Sequence, residues 1–189
     1  MRSEPEIMIE GIGALHRVDD EDQERILAWR NAPEVRAAMY TRHEISETEH
    51  AAWWTRFMSD PARQMFIAVQ SGAELGVVGV EAPAGPQSAS WWFYAAPGAP
   101  RGAGRRMEVL ALELVFGPMA RETLACEVRQ ENVRVITLHE SFGFEKTGEI
   151  MRDTPEGPVK AVQLALTLER WAARRAGLLA EIAQTGDAS

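Results

Sequence analysis

One cysteine, Cys126, occurs in 189 residues. An intramolecular disulfide and a multi-thiolate metal site are therefore excluded. The four histidines (His16, His43, His50, His139) are scattered and form no H-x-x-x-H pair, so no metal site is expected. No apolar run approaches the ~20 residues that a membrane span needs. Met1–Glu10 lacks the basic-then-apolar pattern of a signal peptide. The chain reads as cytoplasmic, with no membrane partner. Positive charge is in deficit: the net charge is −8, which argues against a protein that coats nucleic acid. Gly-Lys-Ser and Gly-Lys-Thr are absent, so there is no Walker loop. A dinucleotide G-x-G-x-x-G fit from Gly102 fails because position 107 is methionine.

What is present suits one globular domain: 46% hydrophobic and 25% charged residues in a 21.0 kDa chain. Residues 7–18 read as a first strand. Asp19–Asp22 opens a helix running to Asn31, closed by Pro33. Ser46 and Glu49 form a capping box for a second helix over Trp53–Met58, ended at Asp60-Pro61. Residues 64–70 and 75–80 form a hairpin around Ser71–Glu74, Pro83–Pro86 is a loop, and 88–96 is a further strand. Apolar residues at 107, 110, 111, 114 and 115 mark a core-facing helix. A strand at 123–128, a helix at 132–142, strands at 144–151 and 159–168, and a helical tail to 183 complete the string, with the last six residues fraying. This α/β (α+β) order predicts one central mixed sheet of about seven strands flanked by helices. The expected boundaries are a domain over 1–168 and a helical extension with frayed tail over 169–189.

The segment richest in chemistry is 91–106. A strand enters a Pro/Gly loop, then Arg101-Gly102-Ala103-Gly104-Arg105-Arg106, then a helix. Glycines allow close backbone approach, and the first N–H groups of a helix point outward at its positive end, which suits a phosphate. The plain alternative is a tight turn with solvated arginines. In the second segment, Asn132 caps a helix that ends Leu138-His139-Glu140-Ser141-Phe142-Gly143-Phe144, with Gly143 suited to the left-handed position after the last turn.

Together and in this order, the two segments resemble the GNAT acyltransferase superfamily, with its R/Q-x-x-G-x-G/A loop and its L-Y-x-x-x-G-F helix end. Arg106 departs from the loop pattern at the G/A position, and His139 stands at the tyrosine position. The resemblance implies a V-shaped splay between the two central strands. It implies acetyl-CoA as cofactor, its pyrophosphate on 101–106, its arm along Tyr94 and Ala95, and Asn132 on the other side. His139 would be the proton donor, with Tyr94 as another hydroxyl. Glu81, at a strand end, is a candidate base.

The strings Trp29-Arg30-Asn31-Ala32-Pro33-Glu34-Val35-Arg36 and Ile45-Ser46-x-x-Glu49-His50-x-x-Trp53, with Trp92–Pro97 and Leu138-His139-Glu140-x-Phe142-Gly143-Phe144, look like the pseudaminic acid pathway acetyltransferases, which acetylate the 4-amino group of a UDP-linked amino-dideoxy sugar for flagellin glycosylation. That resemblance implies a nucleotide-sugar substrate held by Arg30 and His50, with Trp91 or Trp92 offering a flat face. A homodimer stays open. Two alternatives stand beside this reading: a ribosomal-protein-type N-terminal or small-amine acetyltransferase, and a non-catalytic acyl-CoA-binding module. Residues 1–60 carry thirteen acids and seven bases, which suits a cationic amine acceptor equally well.

Overall fold

The computed structural model describes residues 4–83 and 87–186. Most of the Pro83–Pro86 loop and the last three residues of the expected frayed tail lie outside them.

The expected first strand is two strands. β1 (Ile7–Ile9) and β2 (Gly13–Arg17) pair antiparallel across a turn in which Gly11 takes φ +74°. The glycines that interrupt the apolar run are the reason: they turn the chain back on itself. The sheet consequently has eight strands rather than about seven. Asp19 caps a short 3-10 turn at Asp20–Asp22 that leads into α1 (Gln23–Asn31). Pro33 does not close that helix into a loop. It starts α2 (Pro33–Ala38), because a proline at a first helical position gives up an N–H that has no partner anyway.

α3 (Glu47–Met58) is capped by the Ser46 hydroxyl, which accepts from the Glu49 N–H at 3.2 Å. The return half of the expected box is missing, since the Glu49 carboxylate goes to His43 Nε2 at 3.1 Å. Strands β3 (Arg63–Gln70), β4 (Ala73–Glu81) and β5 (Ser88–Ala95) continue the antiparallel meander. α4 (Ala103–Phe116), β6 (Thr123–Arg129) and α5 (Val133–Phe142) follow. The chain ends with β7 (Glu145–Thr154), β8 (Gly157–Thr167) and α6 (Leu168–Gly186). The strand order is β1-β2-β3-β4-β5-β6-β8-β7.

Two apolar cores lie on opposite faces of the sheet. The larger one gathers α4, α5 and α6 against one face, with Met107, Leu110, Phe142 and Trp171 inside it. α6 belongs to this core through Trp171 and Ile182. The smaller core places α1–α3 on the other face through Ile26, Val35, Trp54 and Phe57. No helix among the described residues is long and apolar enough to cross a membrane.

Candidate active site

The site is set by a break in the middle of the sheet. β5 and β6 are its parallel pair, and they are in register only over Ser88–Ser90 against Thr123–Ala125. Beyond that point β5 runs on to Ala95 and β6 to Arg129 without pairing, so the two central strands diverge. β5 stays joined to β4 along its length, up to Gly76 opposite Ala95. The Ala96 N–H donates to the Leu75 carbonyl at 2.9 Å. Antiparallel alternation then turns the backbone of Tyr94 toward β4, while Phe93 and Ala95 direct their N–H and C=O groups into the open side. The splay therefore exposes a strand edge that can pair with an extended ligand.

At the same mouth lies the N-terminus of α4. Gly102, its N-cap, has φ +86°, and no side chain caps this end. The N–H groups of Gly104 and Arg105 belong to the first turn, which has no intrahelical acceptors. A Cβ on Gly104 would face Leu138 at 3.4 Å and Phe93 at 3.9 Å, an ordinary contact. An uncapped helix end beside an open strand edge fits a long ligand with an anionic head and an amide-bearing arm.

The three arginines of this corner behave differently. Arg101 is exposed. Arg105 turns away from the helix end toward α6, bonding Glu181 at 2.9 Å and lying over the Phe142 ring. Arg106 folds back beneath the loop. The Asn132 side chain caps α5, accepting from the Val135 N–H at 3.4 Å.

His139 does not sit in the cleft. It is 2% exposed, packed against Trp91, Phe93 and Phe144, and its Nδ1 meets Glu108 Oε1 at 2.8 Å. Glu108 is fully buried, and burial holds its carboxyl above the ordinary range against the opposing pull of His139. Sequence periodicity missed Glu108. It marks one buried stripe on α4, whereas α5 and α6 cover a second. Trp91 is also core, 3% exposed and stacked on Phe93 at 5.1 Å, so it offers no face to a ligand. Trp92 points to the opposite side of the sheet and stacks on Tyr94. Glu81 is opposite Ser90 and pairs with Arg63. The register thus puts it five residues, about 16 Å, from the Gly76–Ala95 level of the open edge.

The α1–α3 wall carries the second half of the site. Tyr94 faces it, and burial pushes its hydroxyl pKa well up, with the nearby Arg30 charge opposing. Arg30 Nη2 donates to the Thr41 carbonyl at 2.8 Å, while Nη1 is buried without a hydrogen-bond partner. Burial pulls the Arg30 pKa down, and the charge of Arg36 adds to this. Arg36 Nε and His50 Nε2 are likewise buried and unpartnered. His50 packs beside Trp53 and Trp54, and burial lowers its pKa. Asn31 clamps the connecting loop by bonding both the N–H and the carbonyl of Ile45, at 2.8 Å each.

Across the splay, Arg129 Nη1 donates to the Met39 carbonyl at 2.8 Å and ties β6 to this wall. Glu127 is held by Arg152 through two bonds of 2.8 and 2.6 Å. Arg129, Glu127 and Arg152 carry no motif in the sequence, and Arg36 closes the Trp29–Arg36 string.

A family model described as an acetyltransferase (GNAT) domain matches residues 14–145. No curated protein matches the chain. Among solved structures, spermidine N-acetyltransferase from Vibrio cholerae, in complex with CoA and spermine, superposes with a TM-score of 0.75 at 17% identity. The match covers 86% of this chain and 99% of that one. The aminoglycoside acetyltransferase AAC(6')-Ib in complex with coenzyme A gives 0.71 at 19% identity, covering 85% and 98%. These likenesses show the fold, and the family match spans more than half of the sequence. The chain belongs to the GNAT acetyltransferase family, N-acetyltransferases that use acetyl-CoA.

Proposed function

We propose that the acceptor is the 4-amino group of a UDP-linked amino-dideoxy sugar of the kind used in surface or flagellin glycans. The observation that carries this reading is the set of three buried, unpartnered nitrogens on the α1–α3 wall: Arg30 Nη1, Arg36 Nε and His50 Nε2. Buried donors of this kind are costly unless a ligand satisfies them. Two of them belong to guanidinium groups, which favour a phosphate and repel a polycation. Trp92 beside Tyr94 supplies an apolar face for a base or a deoxy sugar.

Acetyl-CoA, when bound, supplies the activated acetyl group. The first-turn N–H groups of α4 hold its pyrophosphate, and the Phe93 and Ala95 backbone pairs with its arm. An N–H on this open edge meets the carbonyl oxygen where negative charge develops. A tyrosine hydroxyl is protonated at neutral pH, and burial holds the Tyr94 pKa higher still. Tyr94 is the candidate proton donor because it faces the α1–α3 wall, whereas His139 is enclosed in the core. Orientation of two bound reactants contributes most of the rate.

A second reading, a small polyamine or aminoglycoside acceptor, is favoured by the polycations that the superposed enzymes act on and by the acidity of residues 1–60. Thiol release from acetyl-CoA separates the two when measured with a UDP-amino sugar, spermidine, kanamycin and N-terminal peptides. The proposal expects turnover with the UDP-amino sugar. Turnover confined to spermidine, kanamycin or peptides rejects it.

A further inference from the structure

Past Ser90 and Ala125 the backbone ladder between β5 and β6 ends, and the sheet divides into two arms. One arm is β1–β5, which carries the α1–α3 wall; the other is β6, β8 and β7. Arg129 stands on the second arm, opposite Ala161 of β8. Val128 enters the larger core, so strand alternation sends the Arg129 side chain to the α1–α3 face. Counted on from Ser90 opposite Ala125, Arg129 is level with Tyr94 across the opening.

The Arg129 side chain is 9% exposed, yet its ion pair is slight. Nε lies 3.4 Å from Glu131 Oε2, on a side chain that is 69% exposed. The short bond runs from Nη1 to the Met39 carbonyl, at 2.8 Å, just past the end of α2. Burying a guanidinium against a neutral carbonyl is a poor way to stabilise a fold, since an apolar side chain of similar volume does as well or better. What the bond supplies is position. Two side chains of α1 fix the same stretch of chain: Arg30 holds the Thr41 carbonyl, and Asn31 clamps Ile45. Arg129 reaches that stretch from the opposite arm.

We propose that Arg129 is a positioning residue for the acceptor: it docks residues 39–45 on the β6 arm and so holds the acceptor wall in place across the splay from Tyr94. It acts through the Met39 carbonyl and needs no contact with the substrate. The inference rests on the acceptor binding at the α1–α3 wall, and not on its being a nucleotide sugar.

The test compares Arg129→Met, which keeps an apolar stem and removes the donor, with Arg129→Lys, which restores a donor. Hydrogen exchange over residues 39–45 is read in the ligand-free protein. KM is measured for acetyl-CoA and for whichever of a UDP-amino sugar, spermidine, kanamycin and N-terminal peptides the wild type acetylates. Arg129→Met should exchange faster over 39–45 and raise the acceptor KM by about 10-fold. Its KM for acetyl-CoA and its melting temperature should stay close to those of the wild type, and Arg129→Lys should recover most of the loss. An unchanged acceptor KM overturns the proposal, whatever the exchange rate. A lower melting temperature with equal rises in both KM values also overturns it, by making Arg129 a residue of the fold alone. So does an Arg129→Lys variant no better than Arg129→Met, because the donated bond is then not what matters. Turnover confined to spermidine, kanamycin or peptides would reject the nucleotide-sugar reading, and the same KM split with that acceptor would still decide this one. Turnover of none of the four would reject the acceptor wall on which both rest.

Discussion

β5 presents alternate side chains to two environments that solve the burial of polar groups differently. On the α4–α5 face, Trp91 and Phe93 close over His139 and Glu108, where one Glu108 oxygen meets His139 Nδ1 while Glu108 Oε2 and Trp91 Nε1 are buried without a partner. On the α1–α3 face, Trp92 and Tyr94 look onto Arg30, whose Nη1 is unsatisfied, with Arg36 and His50 carrying buried unpartnered nitrogens on the same wall. The first face buries one carboxylate against one imidazole, both almost wholly out of solvent; the second buries guanidinium groups that stay partly accessible. The difference teaches that a titratable residue on a family motif is not by that fact at the chemistry, since both faces carry unpartnered buried polar atoms and only access separates them.

The largest expected effect comes from β4, the strand that backs β5. Gly76 has φ +149°, and a Cβ there would stand 2.2 Å from the Tyr94 carbonyl oxygen and 2.8 Å from Ala95 Cα. Gly76→Ala should cost about 3 kcal/mol or more through strain and overpacking. That is a drop in melting temperature of about 10 °C. Gly79→Ala is the contrasting change, because the nearest atoms to its Cβ belong to the Trp92 ring, at 2.2–2.7 Å, so the side chain rather than the backbone must move. It should raise the acceptor KM more than it lowers the melting temperature, and the reverse pattern would remove Trp92 from the acceptor side.

Next in size is the scaffold pair. His139→Ala leaves Glu108 buried without its partner and should destabilise by about 3 kcal/mol. Glu108→Met with His139→Phe should recover much of that loss in a denaturation series, since both polar groups are gone. If His139→Ala instead melted like the wild type and lost the pH dependence of kcat, His139 would be the acid after all, and the two faces would exchange roles.

Arg30→Ala and His50→Ala should each raise the acceptor KM by about 10-fold and leave the KM for acetyl-CoA unchanged. Equal effects on both substrates would break the separation of the faces.

The smallest effect is at Glu127, where hydrogen bonds from Arg152 pull the carboxyl below its ordinary 4.5. A lowered folded pKa stabilises above the unfolded value, and that contribution is lost as pH falls through the folded one. Glu127→Gln should therefore flatten the acid limb of the stability curve, by no more than about 1 kcal/mol because the pair is partly exposed.

Much of this architecture was legible in the sequence because it is local. The helix over 103–116, its glycine entry and the Gly143 exit follow from periodicity and positive-φ chemistry within a few residues. The family followed from two such segments in order. What could not be read is non-local. Arg129 meets the Met39 carbonyl across 90 residues, and Glu108 meets His139 across 31. Nothing in the neighbourhood of either residue announces the partner. The charge balance misled for the same reason. Residues 1–60 are acidic in sum, yet the nitrogens they bury without a partner include Arg30 Nη1 and Arg36 Nε. The glycines that split the first strand are visible in the sequence, but the extra strand exists only because β1 folds back to pair with β2.

The central claim is that the N-terminal end of α4 at the splay and the α1–α3 wall bind two different phosphate-bearing molecules at once. Calorimetric titration of UDP into the CoA-saturated protein, in wild type and Arg30→Ala, tests it most directly. The account predicts one UDP site per chain, undiminished by bound CoA and weakened by about 10-fold or more in Arg30→Ala. UDP displaced by CoA, or no UDP binding where spermidine binds, would contradict it.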